Sequence, residues 1–546
     1  MAARQYAAPT RLLVLPVSLG VLAAATLVVW AGPELAGWVT SGQLAPLGFW
    51  QAQGAAIRAV LGLRAALSYP APLRRALLEP QGFWVVQALL VITLVTLAGS
   101  ALRAVDVRAS RPVADRRWWQ IRGLRPRPFA RPRTLSELLV SAPNPERIVI
   151  GHYGRPARLL AVGSNVQAVA IAAPRSGKTS GVIIPALLEH RGACVNTTVR
   201  TDVLQTTIKR RRELGRVWVW NPFGTSTDSW NPLHGCQDWE HTLLVARWLG
   251  NAVRLGATHT QEYFDQEAEG LTAPLLHAAA LSGEHTILDV YRWILQRERD
   301  APQAILRGVG ADDALERFTN VYSYTERQRD GIIGTAAVQL KAYGHPGAAR
   351  TASRAGSLSP DVLFAPDEAN SLYIVAGREH QQLLAPLVVT LISSLLHHLS
   401  ERENRNGHGL WPPALFALDE TANIAPLQEL PQILATSLPS ARFLTVWHSV
   451  AQMHRHYGPA AAAEILALSQ AKIFLGSITD GHTVTELTRL LGQRASQELQ
   501  HPEILTAQAL QRTTAGEGLL VHTDQPPTFY RQRRYYKDGA LRALVP

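Results

Sequence analysis

Two uncharged apolar runs, residues 12–31 and 82–102, stand out near the N-terminus. Each is about 20 residues long, the length an α-helix needs to cross a bilayer, so each predicts a transmembrane helix. Beyond them the pattern changes. Short apolar or alternating runs at 169–171, 193–195 and 216–221 read as strands. Between them lie stretches with apolar residues three and four apart, such as 202–214, which ends at Gly215. Strands alternating with helices predict a parallel sheet covered on both faces. From Trp239 to about Ser353 the strand signal almost vanishes, and helical spacing dominates at 242–248, 267–281, 287–296 and 325–343. This stretch predicts an all-α insertion. Strand rhythm resumes at 371–375, a long helix follows over about 381–402, and strands at 414–420, 442–446 and 471–475 complete one sheet.

Charge orients the ends. Arg4 and Arg11 precede the first apolar run, and ten arginines from Arg103 to Arg133 follow the second. The positive-inside rule puts both ends of the anchor in the cytoplasm, which predicts a multi-pass protein of the cell (inner) membrane with most of its chain cytoplasmic. Segment 33–81 lies between the spans; its own arginines weaken the contrast without reversing it. The net charge of +12 favours anionic partners, nucleic acid or lipid headgroups. With 47% hydrophobic and 18% charged residues, the chain is not a disordered one, and 546 residues exceed a single core. The two cysteines, Cys194 and Cys236, suit a reducing compartment.

The strand at 169–171 runs into Ala172-Ala-Pro-Arg-Ser-Gly-Lys-Thr179, and a helix follows. Strand, tight loop ending in Gly-Lys-Thr, then helix is the setting of a phosphate-binding P-loop. Backbone N–H groups of such a loop point inward and hold phosphate oxygens. The nucleotide-contacting positions are Ala172, Pro174, Arg175, Ser176, Gly177, Lys178, Thr179 and Ser180. Lys178 is expected against the β- and γ-phosphates and Thr179 on Mg²⁺. Ala172 stands where a first glycine is usual, which narrows the backbone choice there.

A second block, Leu415-Phe-Ala-Leu-Asp419-Glu420, is an apolar strand ending in two acids. In P-loop enzymes such a strand delivers one carboxylate toward Mg²⁺ (Asp419) and a second that orients or deprotonates the attacking water (Glu420). Gln452, after the next strand, is the candidate that senses the γ-phosphate, with His448 able to play the same part. Arg442 and Arg175 are the candidate arginine fingers. The reading is thus an α/β P-loop ATPase using ATP and Mg²⁺. Residues 1–103 form the anchor, 104–150 a basic Arg/Pro-rich linker, 151–232 with 360–546 the nucleotide-binding domain, and 233–359 the all-α domain.

Several blocks together resemble the type IV secretion coupling proteins of the VirD4/TraG/TraD kind. The P-loop with its helix, 172–185, is similar to theirs. Arg200-Thr-Asp202 is similar to a Lys-x-Asp segment, with Arg200 at the lysine. Trp230-Asn-Pro-Leu233, Leu418-Asp-Glu-Thr-Ala-Asn-Ile424, His448-Ser-Val-Ala-Gln452, 472–477 and Leu490-Leu-Gly492 complete the likeness. His448 replaces a glutamine of the usual pattern. The resemblance implies a RecA-like motor with an inserted all-α domain and two N-terminal transmembrane helices, acting as a homo-hexamer. It implies DNA, a relaxase and secretion-channel proteins as partners, with ATP hydrolysis powering or gating DNA transfer. Two alternatives stay open: an FtsK-like double-strand DNA translocase, and a cargo receptor that binds nucleotide without hydrolysing it.

Overall fold

The computed structural model describes residues 132–498 and 516–545, apart from 155–156, 165, 225–227, 252–258, 353–355, 437, 477 and 479. They all fall in one compact unit, residues 122–546. Both predicted transmembrane helices and the first part of the linker lie outside the described residues.

The strands are β1 (Leu139–Val140), β2 (Val149–Tyr153), β3 (Arg158–Ala161), β4 (Ala168–Ala172), β5 (Cys194–Thr198), β6 (Val217–Trp220), β7 (Ser371–Val375), β8 (Ala414–Leu418), β9 (Ala441–Trp447), β10 (Ala471–Leu475), β11 (Glu517–His522) and β12 (Thr528–Gln532). They form a 12-stranded sheet in the order β1-β3-β2-β12-β11-β10-β4-β9-β8-β5-β7-β6. From β10 through β4, β9, β8, β5 and β7 to β6 every neighbouring pair is parallel. From β10 outward through β11, β12, β2, β3 and β1 every pair is antiparallel. The chain is therefore mixed α/β with a large parallel sheet.

The apolar runs explain the parallel half. β4, β5, β7, β8, β9 and β10 are buried along their whole length, the state of strands covered on both faces. Successive side chains still alternate between two cores. Val169 and Ile171 join the larger one with Phe416 and Phe443. Ala168, Ala170 and Ala172 join the second, beside Leu187 and Leu188 of the helix Ile184–Glu189 that follows the P-loop. β6, at the edge, keeps the alternation the sequence predicts.

The antiparallel half corrects the linker boundary. Residues 104–150 read as linker, yet Leu135, Leu138 and Ile150 are buried and β1 and β2 fall wholly or partly inside that range. The stretch after β11 likewise holds a strand. Tyr530 of β12 is buried where two neighbouring strands carry glycine. A Cβ on Gly151 would overlap the Tyr530 ring, and one on Gly518 would lie 2.5 Å from it.

Between β6 and β7 the described residues form helices joined by turns, with no strand among them. The helix His259–Ser282 is the centre against which Trp239–Asn251, Ile287–Gln296, Asp300–Val309, Asp312–Val321 and Glu326–Leu340 pack. The helices Asp300–Val309 and Asp312–Val321 were not legible in the sequence. The stretch leaves and returns at one place: Trp230 N–H donates to the Thr351 carbonyl (2.7 Å), and Leu358 N–H donates to the Ser229 carbonyl (3.0 Å). Among the described residues one helix, Arg378–Asn406, is long and apolar enough to cross a membrane, but 72% of its apolar window is buried inside the protein. It is a core helix.

The amino edge of the parallel sheet is tied by one buried cation. Arg211, on the helix Thr201–Leu214, is fully buried. Its guanidinium donates to Ser371 Oγ (2.6 Å) and to the carbonyls of His190 (2.6 Å), Gly192 (2.7 Å) and Ala369 (2.8 Å). Beside it His190 Nε2 meets the Pro413 carbonyl at 3.0 Å, and since a carbonyl only accepts, Nε2–H donates. Burial, then the charges of Arg211 and Arg442, push His190 down from 6.5 to about 3. The unfolded chain therefore takes up this proton first. Stability from His190 is complete above 6.5 and is lost progressively as pH falls toward 3. The slope is up to about 1.4 kcal/mol per pH unit. Urea midpoints between pH 7.5 and 5 are expected to fall in the wild type and to fall less in His190→Gln, whose amide can still donate to Pro413.

Candidate nucleotide site

The carboxyl ends of β4, β9, β8, β5 and β7 open onto one cleft of about 810 Å³. The carboxyl edge of a parallel sheet is where open α/β folds bind ligands, and the volume is that of a nucleotide-sized pocket. Each strand contributes the residues that follow it. The P-loop comes after β4, Arg200 and Asp202 after β5, Arg378 after β7, Asp419 and Glu420 after β8, and His448 after β9.

The P-loop has the backbone its residues allow. Ala172 is the last residue of β4, fully buried and paired with Leu475 of β10. It does not stand among the left-handed residues, so alanine is tolerated where glycine is usual. The left-handed turn falls on Arg175 (φ 64°) and Gly177 (φ 94°) instead. A side chain on Gly177 would also meet Gln532 Oε1 at 2.7 Å. Ser176 Oγ is buried and has no hydrogen-bond partner among the described residues. Pro174, Gly177, Lys178, Thr179 and Ser180 line the cleft beside the exposed Arg175.

Opposite the loop, Glu420 adopts φ 56°, a strained conformation for a non-glycine residue and one that clusters at functional sites. The turn is fixed from beneath. Thr197 Oγ1 donates to the Asp419 carbonyl (2.8 Å), and Thr421 Oγ1 donates to the Leu418 carbonyl (2.8 Å). The predicted convergence is present. Lys178 Nζ donates to Glu420 Oε1 and lies 3.6 Å from Asp419 Oδ1; Thr179 Oγ1 donates to Asp419 Oδ2 at 2.9 Å. His448 Nε2 lies 2.8 Å from Glu420 Oε2. Burial acts to raise Glu420, but the His448 hydrogen bond and the Lys178 charge prevail and hold it down at about 2. Asp419, more deeply buried, is pushed up by desolvation, against the pull of Lys178.

The donor set fits Mg²⁺ and a polyphosphate. Thr179 Oγ1 and Asp419 Oδ2 are adjacent hard oxygens of the kind that cation takes, and the orphaned Ser176 hydroxyl belongs to the same loop.

Two residues that the sequence puts forward for the γ-phosphate end, Gln452 and Arg442, need correction. Gln452 is not among the cleft residues; its Oε1 accepts the backbone N–H of His448 at 2.9 Å, so it fixes the turn that presents His448. Arg442 sits at the amino end of β9 and is buried, at the sheet edge opposite the cleft, which rules it out as a finger in trans. Arg175 is exposed at the loop tip. Sequence reasoning missed Arg378, Arg534, Tyr535 and Tyr536, all of which line the cleft. Arg378 had a usable signal, since it follows a strand at the carboxyl edge. The other three had none that was local.

Residues 140–516 match the family described as type IV secretory system conjugative DNA transfer. The chain belongs to that family. Among curated relatives, protein VirD4 of Rhizobium rhizogenes is 22% identical over 429 residues, a match that covers 70% of this chain and 60% of VirD4. The chain thus matches less than two thirds of that relative's length. Solved structures of the bacterial conjugative coupling protein TrwB share the fold. The unbound TrwBdeltaN70 form superposes with a TM-score of 0.58 at 14% identity, covering 74% of this chain and 92% of that one. TrwB in complex with the ATP analogue ADPNP gives 0.55 at 15% identity over 68% and 86%. TrwB in complex with ADP and Mg²⁺ gives 0.53 at 16% identity over 67% and 85%.

Proposed function

We propose that this chain is a RecA-like P-loop ATPase that couples a DNA–relaxase substrate to a type IV secretion channel in conjugative transfer. The observation that carries the reading is the meeting of Lys178, Thr179, Asp419 and Glu420 at one sheet edge. TrwB binds ADP with Mg²⁺ and ADPNP, which supports the same ligands here. Thr179 and Asp419 hold Mg²⁺, which supplies charge neutralisation at the phosphates. Lys178 exchanges its carboxylate partners for the β- and γ-phosphate oxygens. Glu420, released from Lys178 and kept ionised, aligns the attacking water and takes its proton. His448 reaches the same carboxylate and reports the loss of the γ-phosphate. Residues 12–31 and 82–102 anchor the protein in the cell membrane with the ATPase in the cytoplasm, and the working form is a homo-hexamer. Contacts to DNA are mainly to phosphate, hence insensitive to sequence.

The full chain in detergent is expected to hydrolyse ATP slowly and to accelerate when single-stranded DNA is added. DNA affinity is expected to fall steeply between 50 and 200 mM salt, by about tenfold or more. Tight ADPNP binding with no phosphate release, with or without DNA, would leave the non-hydrolysing receptor as the correct reading.

A further inference from the structure

The segment that follows β12 forms part of the cleft. β12 leads into Arg533, which is 2% exposed and clamped by Glu189 (2.8 Å) and Asp538 (3.0 Å). Glu189 is the last residue of the helix that follows the P-loop, so the segment is fixed to that helix. Tyr535 N–H then donates to the Ser180 carbonyl at 3.0 Å, and Gln532 Nε2 donates to the Ser176 carbonyl at 3.2 Å. A P-loop has two ends. Here Lys178, Glu420 and His448 mark the γ-phosphate end. The backbone around Ser180, where the helix begins, belongs with the α-phosphate, beyond which ribose and base extend. The segment after β12 meets the loop at this second end.

Of the three residues of the segment that line the cleft, Tyr536 is the exposed one. The residue is 45% exposed and lines the cleft, yet its side chain is held from two sides. Arg534 Nη1 donates to its hydroxyl at 3.2 Å, and the Tyr535 ring meets it edge-on at 5.3 Å and 90°. A large aromatic face, partly exposed and held at its hydroxyl and its edge beside a phosphate site, is suited to stacking on a nucleobase.

We propose that Tyr536, positioned by Arg534 and Tyr535, is the wall on which the base of a bound purine nucleotide stacks. This rests on the nucleotide-binding reading above. A ring face offers no base-edge hydrogen bonds, so adenine and guanine nucleotides are accepted alike.

The test titrates the full chain in detergent with Mg²⁺ and either ADPNP, GDPNP or tripolyphosphate, which has no base. Tyr536→Ala is expected to weaken ADPNP and GDPNP by about tenfold while tripolyphosphate affinity stays within about twofold; Tyr536→Phe keeps the ring face and loses only the Arg534 hydrogen bond, so its losses for ADPNP and GDPNP are expected to be smaller than those of Tyr536→Ala, with tripolyphosphate unchanged. Unchanged ADPNP affinity in Tyr536→Ala overturns the wall and leaves the phosphate site standing. A wild-type protein that takes up neither ADPNP nor tripolyphosphate overturns the nucleotide reading, and the wall with it. Equal losses for ADPNP and tripolyphosphate in Tyr536→Ala also overturn the wall, because they assign the residue to loop structure.

Discussion

Lys178→Ala and Glu420→Gln are each expected to lower DNA-stimulated ATP turnover by about 10²–10³-fold or more, but through different steps. Lys178 is the cation that reaches phosphate, so Lys178→Ala loses nucleotide affinity as well as turnover. Glu420→Gln removes the partner that ties Lys178 down and leaves Asp419, 3.6 Å away, as its remaining carboxylate. A freer Lys178 holds phosphate at least as well, so Glu420→Gln keeps or gains ADPNP affinity while hydrolysis stops. Calorimetry with ADPNP and a phosphate-release assay separate the two. Wild-type turnover in Glu420→Gln would remove the proton-transfer role of Glu420 and shift attention to Asp419.

The largest stability effect is expected at Arg211, far from the cleft. Arg211→Met keeps the length of the side chain and loses its donors. Carbonyls of His190, Gly192 and Ala369 and the Ser371 hydroxyl are then left without this partner at the buried amino edge of β5 and β7. An unsatisfied buried acceptor costs about 1–3 kcal/mol, and partial relaxation brings the total to about 3–5 kcal/mol. A urea midpoint well below that of the wild type is the expected reading, with ADPNP affinity retained in the folded protein. An unchanged midpoint would mean that water replaces the guanidinium at no cost.

What could be read from the sequence was local. The P-loop and the Asp419–Glu420 pair each occupy a few consecutive residues, and the rule that ligands sit at the carboxyl edge brings them together without coordinates. The parallel strands were legible because full burial on two faces demands unbroken apolar runs. The antiparallel half was not. β1 to β3 are two to five residues long and follow a stretch whose arginines and prolines suggest a linker. Gln452 misled because its side chain turns back onto a backbone four residues earlier, a choice that spacing does not reveal. Asp300–Val309 buries only Pro302 and Leu306, and Asp312–Val321 only Ala314, Phe318 and Val321, so few large apolar positions mark these two helices, and the Gly310 stop divides the stretch. Tyr536 reaches the cleft only because β12 joins the P-loop's own sheet through β11 and β10, which is a property of strand order.

That order has a consequence for biosynthesis. β12, late in the chain, is inserted between β11 and the early strand β2. Until β12 has emerged from the ribosome, β2 waits with an open edge and the helix after the P-loop lacks its Arg533 clamp. A product truncated before β12 therefore carries exposed strand edges and an unfinished cleft. Quality control by proteases can act on such products before they accumulate.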